Sequence, residues 1–168
     1  MPLSIERTRD AYRRHRAIHE AACRQEASWS ELADLFADEA TYQDPFFGPI
    51  RGRAAIREFL QRSMSGLEDW TFPILWVAVD EGRVVTHWLN RLPGRRRDGS
   101  SFEFPGMSAI DFDDEGQIVR QMDLYDRVTA LRVISEAKVP GLEGLVGAVT
   151  RLSSPLVDVV HGLVGQKR

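Results

Sequence analysis

The order of its predicted elements constrains the fold of this chain more than any other feature of the sequence. Three helical segments come first: residues 5–26, a short segment that opens with the capping box Ser28–Glu31, and residues 54–64. Asp/Gly-rich turns separate the four strand-like stretches that follow, which are residues 70–79, 83–92, 101–112 and 118–125. Helices followed by a meander of strands predict an α+β fold rather than alternating α/β units.

Neighbouring strands joined by short turns pair antiparallel, and their inward face needs a second layer to cover it. We therefore expect one strongly curved antiparallel sheet that wraps around the N-terminal helices like a cone and encloses an apolar cavity. A short strand at residues 40–44 stops at Pro45, and the glycines and proline at residues 48–52 predict a loop. With 168 residues, the chain suits one domain with a single core.

The C-terminal part differs from the rest, so we divide the chain into a cone domain at residues 1–130 and a helical extension at residues 131–168. Proline-containing breaks separate two apolar sets in this extension, which are Leu142, Leu145, Val146 and Val149, and Leu156, Val157, Val160, Leu163 and Val164. We expect these sets to pack on the domain or on a dimer partner. A lid over the cavity is one alternative; a membrane contact is another, although the polar faces carry few basic residues.

Composition argues against several classes of function. The formal net charge is −3, so the chain as a whole does not attract nucleic acid, and the three arginines at residues 95–97 indicate a solvated loop. Cys23 is the only cysteine, which excludes an intramolecular disulfide and suits a reducing cytoplasm, where we expect the protein. No apolar stretch has the length of a membrane span, so we expect no membrane insertion, and the N-terminus lacks the apolar core of a signal peptide.

Two segments resemble known families. LADLFADEATYQDPFFGPIRGRAAIREFL, at residues 32–60, resembles the SnoaL-like polyketide cyclases, the ketosteroid isomerases and the limonene epoxide hydrolases. FEFPGMSAIDFDDEGQIVRQMDLYD, at residues 102–126, is similar to their last two strands and the hairpin between them. The resemblance implies the cystatin-like α+β barrel of the nuclear transport factor two-like superfamily, which serves many chemistries and also non-catalytic binders.

The resemblance implies catalytic roles for Tyr42 and Asp44, which share one face of their strand because they are two residues apart. Asp44 falls where ketosteroid isomerases place their proton-shuttling aspartate and where the epoxide hydrolases place an asparagine. Tyr42 falls where those hydrolases have a tyrosine that helps to hold the nucleophilic water. A carboxylate in an apolar cavity suits a general base near neutral pH. The alternative interpretation is that Asp44 only opens an Asp-Pro turn.

Asp123, Tyr125 and His87 are further candidates on the later strands. Asp123 matches an aspartate that the epoxide hydrolases use beside their water, and Tyr125 shares its strand face. His87 falls where those enzymes have their acid–base aspartate, but Val85 replaces the partner arginine. We predict that His87 faces Asp44 or Asp123 across the cavity as an acid–base partner, and the alternative is a structural histidine.

The remaining site residues are expected to contact the substrate. Phe59, Phe104 and either Trp88 or Leu89 are predicted to form part of the apolar boundary of the cavity; alternation along the strand means that Trp88 and His87 cannot both face inward. Ser108 falls where ketosteroid isomerases have the protonated aspartic acid of their oxyanion hole, and the matching tyrosine position falls near Glu20. Without those two donors a dienolate is poorly stabilised, so efficient steroid isomerisation is not expected.

No metal ion or cofactor is predicted. His15 and His19 are four residues apart on a helix, a spacing that two zinc ligands can share, but no acidic residue completes the set and their neighbours are arginines. The FFGPIRG loop lies between a strand and a helix, yet it lacks the glycine spacing of a phosphate-binding loop.

These observations predict a cofactor-free proton-transfer enzyme, of isomerase, cyclase or dehydratase type, acting on a hydrophobic cyclic small molecule. Asp44 is the expected base, with His87 or Asp123 as its partner and Tyr42 orienting a substrate oxygen or a water. Two alternatives remain: a non-catalytic binding or dimerisation module with the same pocket, and an epoxide hydrolase. A homodimer is expected, because members of this fold often pair through the outer face of the sheet.

Overall fold

The computed structural model describes residues 3–138, and both apolar sets of the predicted C-terminal extension lie outside this range. Within it, the helices α1, α2 and α3 span Ile5–Cys23, Arg53–Ser63 and Arg127–Lys138, and a 3₁₀-helix spans Trp29–Leu35. The strands β1 to β6 span Phe36–Asp44, Gly48–Arg51, Ile74–Asp80, Arg83–Arg95, Ser101–Phe112 and Ile118–Leu124. Helical segments followed by a meander confirm the α+β fold.

Local sequence signals explain where the first two helical segments begin. The Ser4 side chain caps α1 by accepting a hydrogen bond from the backbone N–H of Arg7, at 3.4 Å. The predicted capping box is confirmed, because the Ser28 backbone N–H donates to the Glu31 carboxylate at 2.8 Å. The segment that this box starts is a 3₁₀-helix of seven residues.

The strands form one sheet in the order β2-β1-β6-β5-β4-β3. β3 to β6 are the predicted antiparallel meander. β1 pairs in parallel with β6, so the sheet is mixed, which corrects the expectation of a wholly antiparallel one. A parallel pair needs a long connection, here through α2 and the meander, so no turn in the sequence signals this pairing.

Residues 48–52, where the sequence predicts a loop, contain the whole of strand β2. Gly48 has φ +75°, a conformation that suits glycine, and the chain reverses there so that Ile50 pairs with Tyr42 of β1. β1 is also longer than the predicted segment at residues 40–44, because it begins at Phe36. The resulting hairpin places Asp44 at its turn.

The core lies between the inner face of the sheet and the helices. A large cluster around α1, α2 and the 3₁₀-helix contains the fully buried Phe36, Ile56, Val84, Ile110 and Ile118. No helix in residues 3–138 is long and apolar enough to cross a membrane.

The helix α3 covers the other end of the sheet. It begins after Asp126, whose carboxylate accepts a 2.6 Å hydrogen bond from the backbone N–H of Thr129. Its Ala130 and Val133 are buried against a second cluster that includes Phe102 and residues of β4 and β5. The helix therefore runs across the boundary predicted at residues 130/131, and its packing joins residues 131–138 to the domain.

Candidate functional site

A cavity of about 300 Å³ lies between the inner face of the sheet and the helices α1, α2 and α3. Its wall is mostly aromatic and aliphatic, and Phe59 and Phe104 belong to it. The volume suits a single small molecule, and an apolar wall with a few convergent polar groups is typical of a ligand site. Acidic and phenolic side chains from β1 and from the end of β6 supply those polar groups.

Asp44 is the last residue of β1, and its carboxylate both accepts hydrogen bonds from the backbone of the following turn and faces the cavity. Its Oδ1 accepts hydrogen bonds from the backbone N–H groups of Phe46 at 2.7 Å and Phe47 at 3.1 Å. Its Oδ2 accepts a 3.0 Å hydrogen bond from the Tyr125 hydroxyl. The carboxylate also belongs to the cavity wall. The geometry therefore fits both interpretations of Asp44, as a residue that stabilises the turn and as a residue that lines the cavity.

Asp123 lies on β6 and is the second carboxylate of the cavity. Its Oδ1 accepts hydrogen bonds from the Ser108 hydroxyl at 2.7 Å and from the Gln121 amide at 3.2 Å, and its Oδ2 accepts one from the Tyr42 hydroxyl. The Trp88 indole N–H donates to Ser108 at 2.8 Å. Since the indole can only donate, the serine hydroxyl must direct its hydrogen to Asp123.

Burial governs the protonation of this network. Desolvation raises the pKa of Asp123 above its ordinary value of 3.8, and the three donors to the carboxylate only partly offset that effect. Burial also raises the pKa of Tyr42 well above 10.0, and the negative charge of Asp123 adds to the rise. Burial and the charge of Asp44 raise the pKa of Tyr125 in the same way. Both tyrosines are therefore neutral hydrogen-bond donors at physiological pH.

Trp88 lies flat across the sheet because its neighbour on β5 is glycine. Gly106 is the cross-strand partner of Trp88, and a Cβ atom built on Gly106 would lie 2.3 Å from the indole ring. The missing side chain therefore leaves the space that the indole occupies, and the indole N–H reaches Ser108 from this position.

His87 and Leu89 lie away from the cavity, which corrects their predicted placement. The cavity-facing residues of β4 are Thr86, Trp88 and Asn90, and alternation along the strand turns His87 to the outer face. There its ring packs beside that of Trp76, with centroids 5.5 Å apart. His87 therefore cannot face Asp44 or Asp123 as an acid–base partner.

The sequence interpretation missed eight polar residues of the cavity wall, which are Tyr12, His15, His19, Ser63, Thr86, Asn90, Gln121 and Lys138. The first three come from α1 and share one helix face, since they follow an i, i+3, i+7 spacing. That spacing was the available signal. Glu20 is not part of the wall and pairs instead with Arg16 at 2.7 Å. In residues 3–138, no cluster of three or more His, Cys, Asp and Glu side chains has the arrangement of a metal site.

The mixed sheet, the helices that it covers and the apolar cavity with its acidic groups define an α+β cone with an internal cavity. The chain belongs to the SnoaL-like domain family, whose model matches residues 8–121. This match confirms the family resemblance carried by the β1–α2 and β5–β6 segments.

Solved structures support the same fold. The crystal structure of a "putative ketosteroid isomerase" from Kribbella flavida DSM 17836 is 21% identical in sequence and superposes with a TM-score of 0.55. The match covers 73% of this chain and 80% of that one. At this identity the likeness establishes the fold and leaves the activity to be argued from the site. None of the curated proteins compared with the chain matches it.

Proposed function

We propose that this protein is a cofactor-free enzyme that transfers a proton within a hydrophobic, cyclic small molecule bound in the cavity. One observation carries the proposal: two carboxylates, Asp44 and Asp123, line the same apolar cavity, and a tyrosine hydroxyl donates to each. A carboxylate in such surroundings is a competent proton acceptor, and a second titratable group beside it can handle the developing negative charge.

Asp44 is the proposed base. Its Oδ1 is committed to the turn, whereas Oδ2 has the Tyr125 hydroxyl as its partner, and this hydroxyl can rotate away when a substrate binds. Oδ2 would then take a proton from a carbon next to a carbonyl group, leaving an enolate. If the enolate is conjugated with a second double bond, return of the proton from Asp44 to the far carbon completes an isomerisation. If the carbon next to the enolate carries a hydroxyl, that hydroxyl leaves with the proton from Asp44 as water, and a dehydration is complete.

Asp123 and Tyr42 are the proposed partners that stabilise the enolate oxygen. Because burial raises the pKa of Asp123, this side chain holds a proton more readily than an exposed aspartate. A protonated Asp123 would donate to the Tyr42 oxygen, and the Tyr42 hydroxyl would then direct its own hydrogen to the substrate. One such donor contributes about 3–4 kcal/mol to oxyanion stabilisation in other enzymes.

The test uses deuterium uptake, because enolisation exchanges the carbon-bound hydrogens next to a carbonyl group with D₂O. Purified protein is incubated with a panel of cyclic ketones, and mass spectrometry measures the exchange rate. We expect catalysed uptake that Asp44→Asn lowers by about 10²–10⁴-fold. Asp38→Asn is the matched control, since Asp38 lies on the same strand but its side chain is 83% exposed. Equal rates for Asp44→Asn and the control would refute the proposed base.

A non-catalytic binder is the second candidate, and it has its own supporting observation. Each oxygen of Asp44 and Asp123 has a hydrogen-bond donor within the protein, so both carboxylates are satisfied without a substrate. A binder predicts ligand affinity without catalysed exchange for any ketone of the panel. Native mass spectrometry of the purified protein would then detect the bound small molecule.

The epoxide hydrolase alternative has weaker support. Tyr42, Asp44 and Asp123 offer groups that can hold a water. However, the cavity-facing residues of β4 are Thr86, Trp88 and Asn90. This strand therefore supplies neither the acid–base aspartate of the epoxide hydrolases nor its partner arginine. Epoxide opening would therefore lack the aspartate–arginine pair that the hydrolases have at this strand.

A homodimer through the outer face of the sheet is the proposed assembly. Trp76, His87, Met107 and Leu124 form one continuous row across β3, β4, β5 and β6. Trp76 is 47% exposed and Leu124 is 50% exposed in the isolated chain. A second copy of this chain would cover these apolar side chains, and it would explain why a largely apolar row lies on the face away from the core.

A further inference from the structure

A second group of polar side chains reaches the cavity from α1. Tyr12 and His15 line the cavity and are only 5% and 6% exposed, respectively. The Tyr12 hydroxyl and Nδ1 of His15 are both buried without a hydrogen-bond partner among residues 3–138. Buried polar atoms are nearly always paired in folded proteins, so two unpaired atoms in neighbouring cavity residues indicate a missing partner.

This group is separate from the carboxylates. The His15 ring stacks on Tyr12 and on His19, and the contacts continue through Trp29 to Phe72. The rings around the carboxylates form another set, in which Tyr42 contacts Phe36 and Phe59, and Tyr125 contacts Phe46, Trp88 and Phe104. No ring contact in the described residues joins the two sets, and neither the Tyr12 hydroxyl nor Nδ1 of His15 is hydrogen-bonded to Asp44 or Asp123.

The charge state of the α1 group restricts its ligand. Burial lowers the pKa of His15 to about 3 and that of His19 to about 4, and the charge of neighbouring Glu20 only partly counteracts the effect on His19. Burial raises the pKa of Tyr12 to about 12. All three side chains are therefore neutral at pH 7. A neutral imidazole offers one donor and one acceptor, which suits a hydroxyl or carbonyl oxygen and gives no ion pair with an anion.

We propose that Tyr12 and His15 form a second polar subsite, which hydrogen-bonds a neutral oxygen of the ligand, most simply a hydroxyl group. Together with the proposed proton transfer at Asp44, on which this inference rests, the subsite defines the substrate class. The substrate is an uncharged, mostly apolar ring system with two oxygen functions: a carbonyl at the carboxylates and a hydroxyl held by α1. A hydroxyl both donates and accepts, so it can satisfy both unpaired atoms.

The test measures the binding of three probes to the full chain by calorimetry. The probes share one tricyclic frame and are a ketone, the same ketone with a distal hydroxyl, and the same ketone with a distal carboxylate. We expect the hydroxy-ketone to bind most tightly. Tyr12→Phe and His15→Phe should each weaken its binding by about threefold to tenfold, the effect of a lost neutral hydrogen bond, while affinity for the plain ketone stays within about twofold.

His87→Phe is the matched control, because it makes the same substitution on the outer face. The proposal is overturned if the hydroxy-ketone binds no better than the ketone, if the carboxylate probe binds best, or if both variants weaken all probes equally. A lowered melting temperature of ligand-free Tyr12→Phe would also overturn it, since that result marks the hydroxyl as already paired.

The two proposals fail separately. Loss of the hydroxyl preference with retained Asp44-dependent deuterium uptake would refute the subsite alone. A retained hydroxyl preference without Asp44-dependent uptake would refute the proton transfer alone.

Discussion

The hydroxyl of Tyr42 on β1 donates to the carboxylate of Asp123 on β6, and the reverse relation joins the same two chain segments. Tyr125, directly after β6, donates to Asp44 at the end of β1, at 3.0 Å. Each segment thus contributes one tyrosine and one aspartate, and each pair is completed across the parallel strands. This crossed arrangement depends on the β1–β6 pairing, so the register of these two strands fixes the geometry of the proposed chemistry.

Asp44→Asn should remove the base and keep the fold. The asparagine Oδ1 can still accept from the backbone N–H groups of Phe46 and Phe47, so the turn survives. The melting temperature should change by no more than a few degrees, while deuterium exchange falls by about 10²–10⁴-fold. Circular dichroism checks the first expectation and mass spectrometry the second. A variant that unfolds would show that the charge itself holds the turn.

Asp123 should make stability depend on pH. Its pKa in the folded state is raised above the ordinary value of 3.8, so the folded state binds more protons than the unfolded state in the pH range just above that value. The stabilisation is fully present below pH 3.8 and is lost as pH rises through the folded pKa. The free energy of unfolding, measured with urea between pH 4 and 8, should therefore contain a decrease with rising pH that Asp123→Asn abolishes. An unchanged pH profile in the variant would contradict this assignment.

His15 should make the stability of the protein depend on pH in the opposite direction. Its pKa falls from 6.5 to about 3 on folding, so its contribution to stability is present above pH 6.5 and is lost as pH falls. A pKa difference of one corresponds to about 1.4 kcal/mol, so the free energy of unfolding should fall by about 3–4 kcal/mol between pH 6.5 and 3.5. His15→Phe should make that slope shallower in denaturant titrations, and His19, whose pKa burial lowers to about 4, accounts for a remaining slope of the same sign. His87→Phe is the comparison variant, and the same loss of slope there would rule out His15 as the source.

Gly106→Ala should disturb the cavity through Trp88. The added methyl group would lie 2.3 Å from the indole, so the ring must move and its hydrogen bond to Ser108 is lost. We expect a destabilisation of about 1–3 kcal/mol, the usual cost of overpacking, and a change in tryptophan fluorescence. The double variant Gly106→Ala/Trp88→Leu should lose less stability than the sum of the losses in the two single variants. Simple additivity would show that the clash is not the cause.

Trp76→Arg should dissociate the proposed homodimer, because it places a charge in the apolar row of the outer face. Analytical ultracentrifugation of the wild-type protein should give a dimer, and the variant should give a monomer. Val128→Arg is the matched control, since Val128 is 58% exposed on α3, which lies away from that row. A wild-type protein that is monomeric at micromolar concentration would disprove the assembly.

The sequence predicted the elements of the meander well, since helix caps, glycine turns and alternating strands are local signals. It did not predict the β1–β6 pairing, because a parallel pair between distant segments leaves no local mark. The β4 face assignment was wrong for another reason. Val85 and Leu89 flank His87 in the outer row, while the inner row of Thr86, Trp88 and Asn90 is partly polar and faces the cavity. The inward placement of His87 came from the resemblance to the epoxide hydrolases, whereas the strand presents Thr86, Trp88 and Asn90 to the cavity.

The α1 residues show a related limit. In the sequence, Tyr12 and His15 are two residues of a largely polar helix. Their burial depends on contacts with residues that are distant in sequence. By contrast, the sequence predicted Asp44 as a candidate residue of the cavity, because the segment that resembles the family is continuous around it.

Asp44 has one further consequence, which concerns the rim of the cavity. The same carboxylate that faces the cavity also fixes the backbone of Phe46 and Phe47, which are 41% and 61% exposed at the cavity wall. This one position would therefore serve both the structure of the cavity rim and the proposed proton transfer. Asparagine here can hold the rim in place without supplying a base, so a protein of this fold could lose the proposed chemistry and keep the same rim.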